Sequence, residues 1–290
     1  MVALFSGVVK NFPFFFELLM LYWQKRRVFH EENCHYRHAA QFPAVFKPVL
    51  KDAQIYDSSC SPVARVYFLD KEGGLYLKSA PKGSLAQEAT MDGFYHSLRL
   101  GPEVLEYHCA DRDWLLTRAV PGEDCLAPMY ISDPKRLCET MAQVLRHLHS
   151  QPTQDCPVPD HTARYLARAD ENCRNGHYDA SLFPDNWGYA SAAEARAVLE
   201  SNGKYLKTDT LLHGDFCLPN IMLKDWKLSG FIDLGGGGVG DKHIDLFWGV
   251  WTLNFNLKDA RWSSYFLDAY GREDVEEELL RTVAAAEVFL

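Results

Sequence analysis

The stretch that decides the fold is residues 211–246, LLHGDFCLPNIMLKDWKLSGFIDLGGGGVGDKHIDL. Two apolar segments, 220–223 and 228–232, predict two short strands joined by a polar turn. A hairpin of this length brings the outer ends of its strands together, so we expect the polar residues beside those ends to face one point in space. These residues are Asp215, Asn220 and Asp233.

Two carboxylates and one amide oxygen at one point suit a hard divalent cation. Magnesium prefers oxygen ligands, and it uses one or two carboxylates together with water and substrate phosphates. One carboxylate is then left over to act on a substrate hydroxyl. This arrangement is typical of phosphoryl transfer, in which a catalytic-loop Asp accepts the proton while an Asn and a second Asp hold the metal.

The amino-acid sequence of the stretch resembles that of the aminoglycoside 3'-phosphotransferase (kanamycin kinase) family, whose members are relatives of the protein kinases. The resemblance rests on HGDxxxxN at 213–220, on the strand that ends in Asp233, and on GxxDxxxDL at 238–246. It extends over about residues 42–290.

The resemblance implies a role for each acidic residue of the stretch. Asp215 would be the catalytic base, and Asn220 and Asp233 would be the magnesium ligands. Asp241 and Asp245 would be structural anchors of the loop.

The resemblance also implies an α+β, two-lobed, protein-kinase-like fold. Its small N-lobe would be an antiparallel β-sheet with one helix, and its larger C-lobe would be mainly helical. We expect an N-terminal extension at 1–43, a nucleotide-binding N-lobe and hinge at 44–119, and a catalytic and substrate-binding C-lobe at 120–290.

Composition and charge narrow the class of protein. At 290 residues and 47% hydrophobic content, the chain can bury a sizeable core. The net charge of -9 disfavours a nucleic-acid partner and suits a cationic ligand. The eight cysteines contain no CxxC pair, which predicts reduced thiols and a cytoplasmic location.

The N-terminal extension contains an apolar run, 12–23, that is shorter than the ~20 residues a membrane span needs. Its basic cluster, 25–27, follows the run, whereas a secretory signal places its charge first. We therefore expect no membrane span and no export signal. Two interpretations stay open, an amphipathic helix or translated sequence upstream of the true start.

The same extension contains four residues of metal-binding types, His30, Cys34, His35 and His38. Their spacing matches no zinc site, and we expect a polar connector here.

The predicted N-lobe contains a hairpin, with strands at 61–69 and 75–78 around a Gly-Gly turn. Lys78 at its end could be a charge that protects a sheet edge, but by resemblance it holds the α- and β-phosphates of ATP. Glu88, on the helix that follows, would pair with that lysine; the alternative is a solvated helix residue. Ser61 lies where the family has a phosphate-contacting serine loop.

Two further regions are assigned by resemblance alone. Thr117 and Ala119 match the hinge whose backbone meets the adenine ring. Asp185, Glu287 and Phe289 match the side of the cleft where acidic and aromatic residues contact the drug.

The chain departs from the family pattern in two places. The segment around Asp185 is less acidic than is usual, which opens the alternative of another acceptor with the same chemistry. Gly236, within the run 235–238, replaces a usual arginine. Because each glycine adds backbone entropy, we expect the loop after Asp233 to be mobile without nucleotide.

These observations together predict a kinase that uses ATP, with GTP possible, and Mg²⁺ to phosphorylate a hydroxyl of an aminoglycoside antibiotic. One alternative keeps the chemistry but changes the acceptor to another small alcohol, an amino alcohol or a sugar. A second alternative is a nucleotide-binding regulator without turnover. The sequence leaves the oligomeric state open.

Overall fold

The computed structural model describes residues 42–59, 63–179 and 189–290. They form two compact units, one that ends at Pro121 and one that begins at Gly122. Several predictions concern residues outside the described ranges. They are those on Ser61, on Asp185, on residues 1–41 of the extension, and on the histidines and cysteine at 30–38.

The first unit is built on a five-stranded antiparallel sheet in the order β1-β2-β3-β5-β4. Its strands are β1 (Gln54–Asp57), β2 (Arg65–Asp70), β3 (Leu75–Pro81), β4 (Val104–Cys109) and β5 (Arg112–Arg118). Before the sheet come a 3-10 turn, Ala44–Phe46, and the short helix α1, Lys47–Leu50. Helix α2, Ala86–Ser97, connects β3 to β4.

One face of this sheet is closed by aromatic side chains that precede it. Phe42 packs edge-on against Tyr67 and Trp114, with ring centroids 5.1 and 5.7 Å apart. Leu75 and Leu77 of β3 lie in the same cluster and are fully buried. Side chains two apart on a strand share one face, so this cluster places the intervening residues of β3 on the other face.

The second unit is mainly helical. Its helices are α3 (Pro128–Ile131), α4 (Pro134–His149), α5 (His161–Arg174), α6 (Ala192–Asn202), α7 (His243–Leu257), α8 (Ala260–Gly271) and α9 (Glu277–Glu287). Helix α4 begins at a local capping signal, since the side chain of Asp133 accepts a hydrogen bond from the Arg136 amide at 3.2 Å and Pro134 follows the cap. Its apolar stripe, from Leu137 to Leu148, is buried.

Two small sheets lie among these helices. Strands β8 (Ile221–Lys224) and β9 (Lys227–Phe231) form the predicted hairpin, and β6 (Glu123–Asp124) pairs with β8. Strands β7 (Thr210–Leu212) and β10 (Gly238–Gly240) pair with each other. The hairpin turn is tighter than the predicted 224–227, because Asp225 and Trp226 both take positive φ, 52° and 65°, in a two-residue loop.

The architecture confirms the predicted α+β class. Each cysteine in the described residues is a free thiol, as expected. Within those same ranges, no helix is long and apolar enough to cross a membrane.

Candidate active site

In the first unit, Lys78 and Glu88 form a close ion pair. The Lys78 ammonium lies 2.7 and 2.8 Å from the two carboxylate oxygens of Glu88, and the side chains are only 13% and 12% exposed. The sequence predicted that the strand ends at Lys78, but β3 continues to Pro81. Since β3 lies between β2 and β5, the alternative of an edge-protecting lysine is wrong.

The start of α2 is held by Asp113 of β5. This buried carboxylate accepts hydrogen bonds from the Leu85 amide at 2.9 Å and the Tyr107 hydroxyl at 3.0 Å. Burial by itself would raise the pKa of Asp113, but the bonds from backbone and side-chain donors outweigh it and lower the pKa. Asp113 thereby fixes the start of α2 about one turn before Glu88. It does so from β5, the strand that pairs with the strand of Lys78.

The two predicted hinge residues are already engaged by the sheet and its turn. Thr117 pairs with Tyr76 on one side and with Val104 on the other. The Ala119 amide donates to the Gly74 carbonyl at 3.0 Å. Contact of these residues with an adenine ring stays a prediction.

In the second unit, the loop between β7 and β8 brings Asp215 and Asn220 together. The Asn220 side-chain amide donates to the Asp215 carboxylate at 2.9 Å and to its backbone carbonyl at 3.0 Å. Asp215 is half-buried, and Asn220 is 3% exposed. The other amide atom of Asn220, Oδ1, is buried without a hydrogen-bond partner.

Asp233 joins this pair through the hairpin. The register places Ile221 opposite Phe231, and the Ile232 amide donates to the Asn220 carbonyl at 3.1 Å. Asp233 directly follows, with a left-handed backbone (φ 59°) that Asp tolerates better than most residues. The structure therefore attaches all three predicted residues to the same end of one hairpin.

The donor set suits magnesium. A buried amide oxygen without a partner is costly unless it meets a cation or a donor, and Asn220 Oδ1 is such an oxygen. With a carboxylate at Asp233, it offers the oxygen ligands that magnesium prefers. Among the described residues, no three His, Cys, Asp or Glu side chains form a metal-binding group. The site at the hairpin is of another kind, since it combines an amide with a carboxylate.

His213 connects the two acidic positions. Its Nδ1 accepts the Asp215 amide at 3.2 Å, so Nε2 carries the proton and donates to the Ile232 carbonyl at 3.1 Å. The ring is fully buried. One neutral imidazole thus ties the residue that precedes Asp233 to Asp215.

Asp245 fixes the backbone of the same loop from α7. Its carboxylate accepts the His213 amide at 2.8 Å and the Gly214 amide at 2.7 Å. It also lies 3.2 Å from Nε2 of His149, at the end of α4. These bonds confirm Asp245 as a structural anchor. No local pattern in the sequence relates His149 to Asp245.

Asp241 is the second confirmed anchor. Its carboxylate accepts the backbone amides of Lys207 at 2.6 Å and His243 at 2.9 Å, as well as the His243 ring at 2.6 Å. The Glu276 amide donates to the other ring nitrogen of His243, so Nδ1 is the donor to Asp241. Burial opposes ionisation, yet the His243 hydrogen bond and the backbone donors lower the pKa of Asp241.

The glycine run after Asp233 is partly regular structure. Gly236 belongs to a 3-10 turn, its carbonyl lies 2.9 Å from Nε2 of His161, and Gly238 begins β10. A Cβ on Gly238 would lie 2.8 Å from a methyl of Val158, so glycine here permits close packing. Mobility of this loop without nucleotide stays a prediction.

The two C-terminal residues assigned to the drug site are buried in this structure. Glu287, 6% exposed, accepts a hydrogen bond from the Tyr165 hydroxyl at 2.8 Å, and burial raises its pKa to about 7. Trp248 also hydrogen-bonds to it. Phe289 is 3% exposed, and its carbonyl accepts the side-chain amide of Asn172 at 2.7 Å. Tyr165 and Trp248 were not found by sequence reasoning, because no local pattern relates them to Glu287.

Comparisons with known proteins identify the family of this chain. Residues 63–281 match the phosphotransferase enzyme family. A probable aminoglycoside 3'-phosphotransferase of Lactococcus lactis subsp. lactis (strain IL1403) is 45% identical over 252 residues, which cover 86% of this chain and 95% of that protein.

Solved structures show the same fold. A type VIII aminoglycoside-3'-phosphotransferase superposes with a TM-score of 0.63 at 26% identity, covering 78% of this chain and 88% of the other. An aminoglycoside phosphotransferase of Streptomyces rimosus, in complex with ADP and streptomycin, gives 0.64 at 25% identity, covering 78% and 90%. These likenesses confirm the predicted two-lobed, kinase-like architecture and the predicted enzyme class. The chain therefore belongs to the phosphotransferase enzyme family.

Proposed function

We propose that this phosphotransferase moves the γ-phosphate of ATP to a hydroxyl of an aminoglycoside, at the 3' position. The observation that carries the proposal is the grouping of Asp215, Asn220 and Asp233 at one end of the hairpin, with a buried amide oxygen of Asn220 that lacks a hydrogen-bond partner. The names of the relatives support the choice of acceptor, since several are aminoglycoside 3'-phosphotransferases.

Asp215 orients the attacking hydroxyl and accepts its proton. Its carboxylate is held by the Asn220 amide, and its backbone amide is held by His213, so the group is fixed before a substrate arrives. General-base assistance of this kind contributes typically about 10²- to 10⁴-fold to the rate. Partial exposure leaves the side chain able to meet a substrate.

Lys78, which Glu88 holds in place, would offset charge on the phosphates. Asn220 and Asp233 would hold magnesium, which would supply further positive charge to the phosphates. Ser61 would add a phosphate contact, and the backbone from Thr117 to Ala119 would meet the nucleotide base. The same contacts accommodate GTP if the hinge accepts guanine.

The acceptor is a small cation. The chain carries a net charge of -9, and acidic surfaces raise the local concentration of cations. Glu287, with Phe289 and Asp185, would meet the acceptor's ammonium groups. Glu287 takes up a proton more readily than an exposed glutamate, with a pKa of about 7, so a bound ammonium would favour release of that proton. The cytoplasmic location stays a prediction.

ADP release with magnesium and ATP, with and without kanamycin or neomycin, tests the proposal. Stimulation by the drugs is the expected result, and NMR of the product identifies the phosphorylated hydroxyl. No stimulation by the drugs, together with stimulation by an amino alcohol or a sugar, would show that the acceptor is another small alcohol. Nucleotide binding without turnover on any acceptor would refute the enzymatic proposal.

Asp215→Ala tests the role of the base. It should bind nucleotide as the parent does and lose turnover. Asp225→Asn is the matched control, because Asp225 lies in the exposed turn of the same hairpin and Asn tolerates its positive φ. Near-normal turnover by Asp215→Ala would contradict the assigned role.

A further inference from the structure

Three buried side chains form a series of hydrogen bonds that reaches the loop carrying Asp215. Tyr270 of α8 meets His149 of α4, with its hydroxyl 2.8 Å from Nδ1. The opposite ring nitrogen, Nε2, lies 3.2 Å from the Asp245 carboxylate of α7. The side chains of His149 and Asp245 are 6% and 0% exposed, and Tyr270 is 4% exposed.

The hydrogen-bonding partners fix the donor to Asp245. Asp245 offers only acceptor oxygens, so Nε2 of His149 must carry the proton and donate it. When the ring is neutral, Nδ1 is an acceptor and the Tyr270 hydroxyl donates to it. Burial raises the pKa of Tyr270, which keeps that hydroxyl protonated. With a neutral ring the order of donation is Tyr270 to His149 to Asp245, and in either state Nε2 of His149 donates to Asp245.

This series of hydrogen bonds ends at the backbone directly before Asp215. Asp245 accepts the amides of His213 and Gly214, and Asp215 is the next residue. Oδ2 of Asp245 is shared between His149 and the His213 amide, while Oδ1 accepts the Gly214 amide. A fully buried carboxylate requires such partners, since an unsatisfied buried charge is strongly unfavourable. Loss of His149 would remove one of the two donors to Oδ2 and loosen the carboxylate that sets the loop.

We propose that His149 and Tyr270 are positioning residues for Asp215, acting through Asp245 and the amides of His213 and Gly214. The catalytic part of this inference rests on the proposed function, because it requires Asp215 to be the base. The structural part, control of the loop by the His149–Tyr270 pair, does not depend on the reaction.

A simple packing role is the alternative explanation. The rings of His149 and Tyr270 meet edge to face, with centroids 5.8 Å apart, and the Arg146 guanidinium lies over the Tyr270 ring. Tyr270→Phe keeps these ring contacts and removes only the hydroxyl. His149→Gln keeps an N–H donor near the position of Nε2, whereas His149→Ala removes it. The variants therefore separate hydrogen bonding from packing.

The chain offers matched controls on the same two helices. The Tyr265 hydroxyl of α8 donates to Glu139 of α4, away from the loop, so Tyr265→Phe removes an equivalent bond between the same helices. His147 lies two residues before His149 and is exposed. His147→Ala is therefore the control for loss of a histidine from the end of α4.

Steady-state kinetics give the first readout. We expect kcat to fall about tenfold in Tyr270→Phe, as loss of one hydrogen bond suggests. We expect a fall of about 100-fold in His149→Ala, the effect of a displacement of about 1 Å. KM for ATP and for the acceptor should stay near parental values, His149→Gln should recover most of kcat, and both controls should match the parent. Parental kcat in His149→Ala, or a Gln variant as impaired as the Ala variant, would overturn the proposal.

Hydrogen exchange gives the second readout, and it needs no substrate. Amide protection in a peptide that spans 211–216 should fall in His149→Ala and Tyr270→Phe but not in the two controls. Unchanged protection in both variants would overturn the positioning role even if the parent proved inactive. Lost protection in an enzyme without turnover would instead count against the proposed function alone. If His149→Ala fails to fold, Tyr270→Phe and His149→Gln carry both measurements.

Discussion

Gly214→Ala is expected to disable the loop at the centre of the site. Gly214 has a φ of +80°, and a Cβ there would lie 1.9 Å from the Gly236 carbonyl oxygen and 2.4 Å from its carbon. The left-handed backbone costs a residue with a Cβ about 1–2 kcal/mol. Forcing the methyl group into a packed loop adds about 1–3 kcal/mol. We therefore expect a loss of about 2–5 kcal/mol in the free energy of unfolding.

The effect on turnover follows from the same contact. Real Cβ atoms do not approach other atoms closer than 3.0 Å, so one of the two backbones must move by about 1 Å. Asp215 is bonded directly to Gly214, and a displacement of this size costs about 100-fold in rate. Drug-stimulated ADP release and urea unfolding, measured on the same preparation, give both quantities.

Gly236→Ala is the matched control, because it adds the same methyl group from the other side of the contact. A Cβ on Gly236 would lie 3.5 Å from the nearest atoms of Gly214, an ordinary van der Waals distance. Gly236 is exposed and does not have positive φ, so alanine should be neutral or stabilising by about 0.4–1 kcal/mol. Gly214→Ala with kcat within about threefold of the parent and unchanged stability would refute the reasoning. Equal damage from Gly236→Ala would refute it as well.

Three further predictions concern the nucleotide, the metal and the pH response. Glu88→Gln should raise KM for ATP about tenfold and leave KM for the acceptor unchanged, because the Lys78 ammonium loses its charged partner; equal changes in both constants would contradict this. Asn220→Ala should raise the magnesium concentration for half-maximal turnover by about 10- to 100-fold, and an unchanged magnesium titration would remove Asn220 from the metal site. Burial raises the pKa of Glu287 from 4.5 to about 7, so the folded state binds this proton more tightly than the unfolded state. The resulting contribution to the free energy of unfolding, about 3 kcal/mol, is present below pH 4.5 and is lost as the pH rises through 7. Glu287→Gln should remove that part of the pH dependence in unfolding experiments between pH 4.5 and 8, and parallel curves for the two proteins would show that Glu287 titrates normally.

The sequence was sufficient for features that depend on near neighbours along the chain. The hairpin that joins Asn220 to Asp233 follows from two apolar segments and a polar turn, and the structure places both residues at its end. Lys78 and Glu88 are ten residues apart, on a strand and the helix that follows it, so their pairing needed only a short connection. The cap of α4 is likewise a local signal.

Detail within these elements was less certain, because strand ends depend on partners. The sequence ended β3 at Lys78, but pairing with β2 and β5 extends it to Pro81 and makes it an interior strand. The hairpin turn shrank to two residues because Lys224 pairs with Lys227. Propensity alone does not show whether such flanking residues find a partner across the sheet.

The tertiary structure decided which distant residues support the site. His149 and Asp245 are 96 residues apart, and His149 and Tyr270 are 121 residues apart, each on a different helix. In the sequence His149 is one more polar residue at a helix end; only the packing of α4 against α7 and α8 makes it a buried donor. Burial of Glu287 against Tyr165, 122 residues earlier, has the same origin. Sequence periodicity records which face of an element is apolar, but the identity of the surface that covers that face is set by the packing of the whole unit.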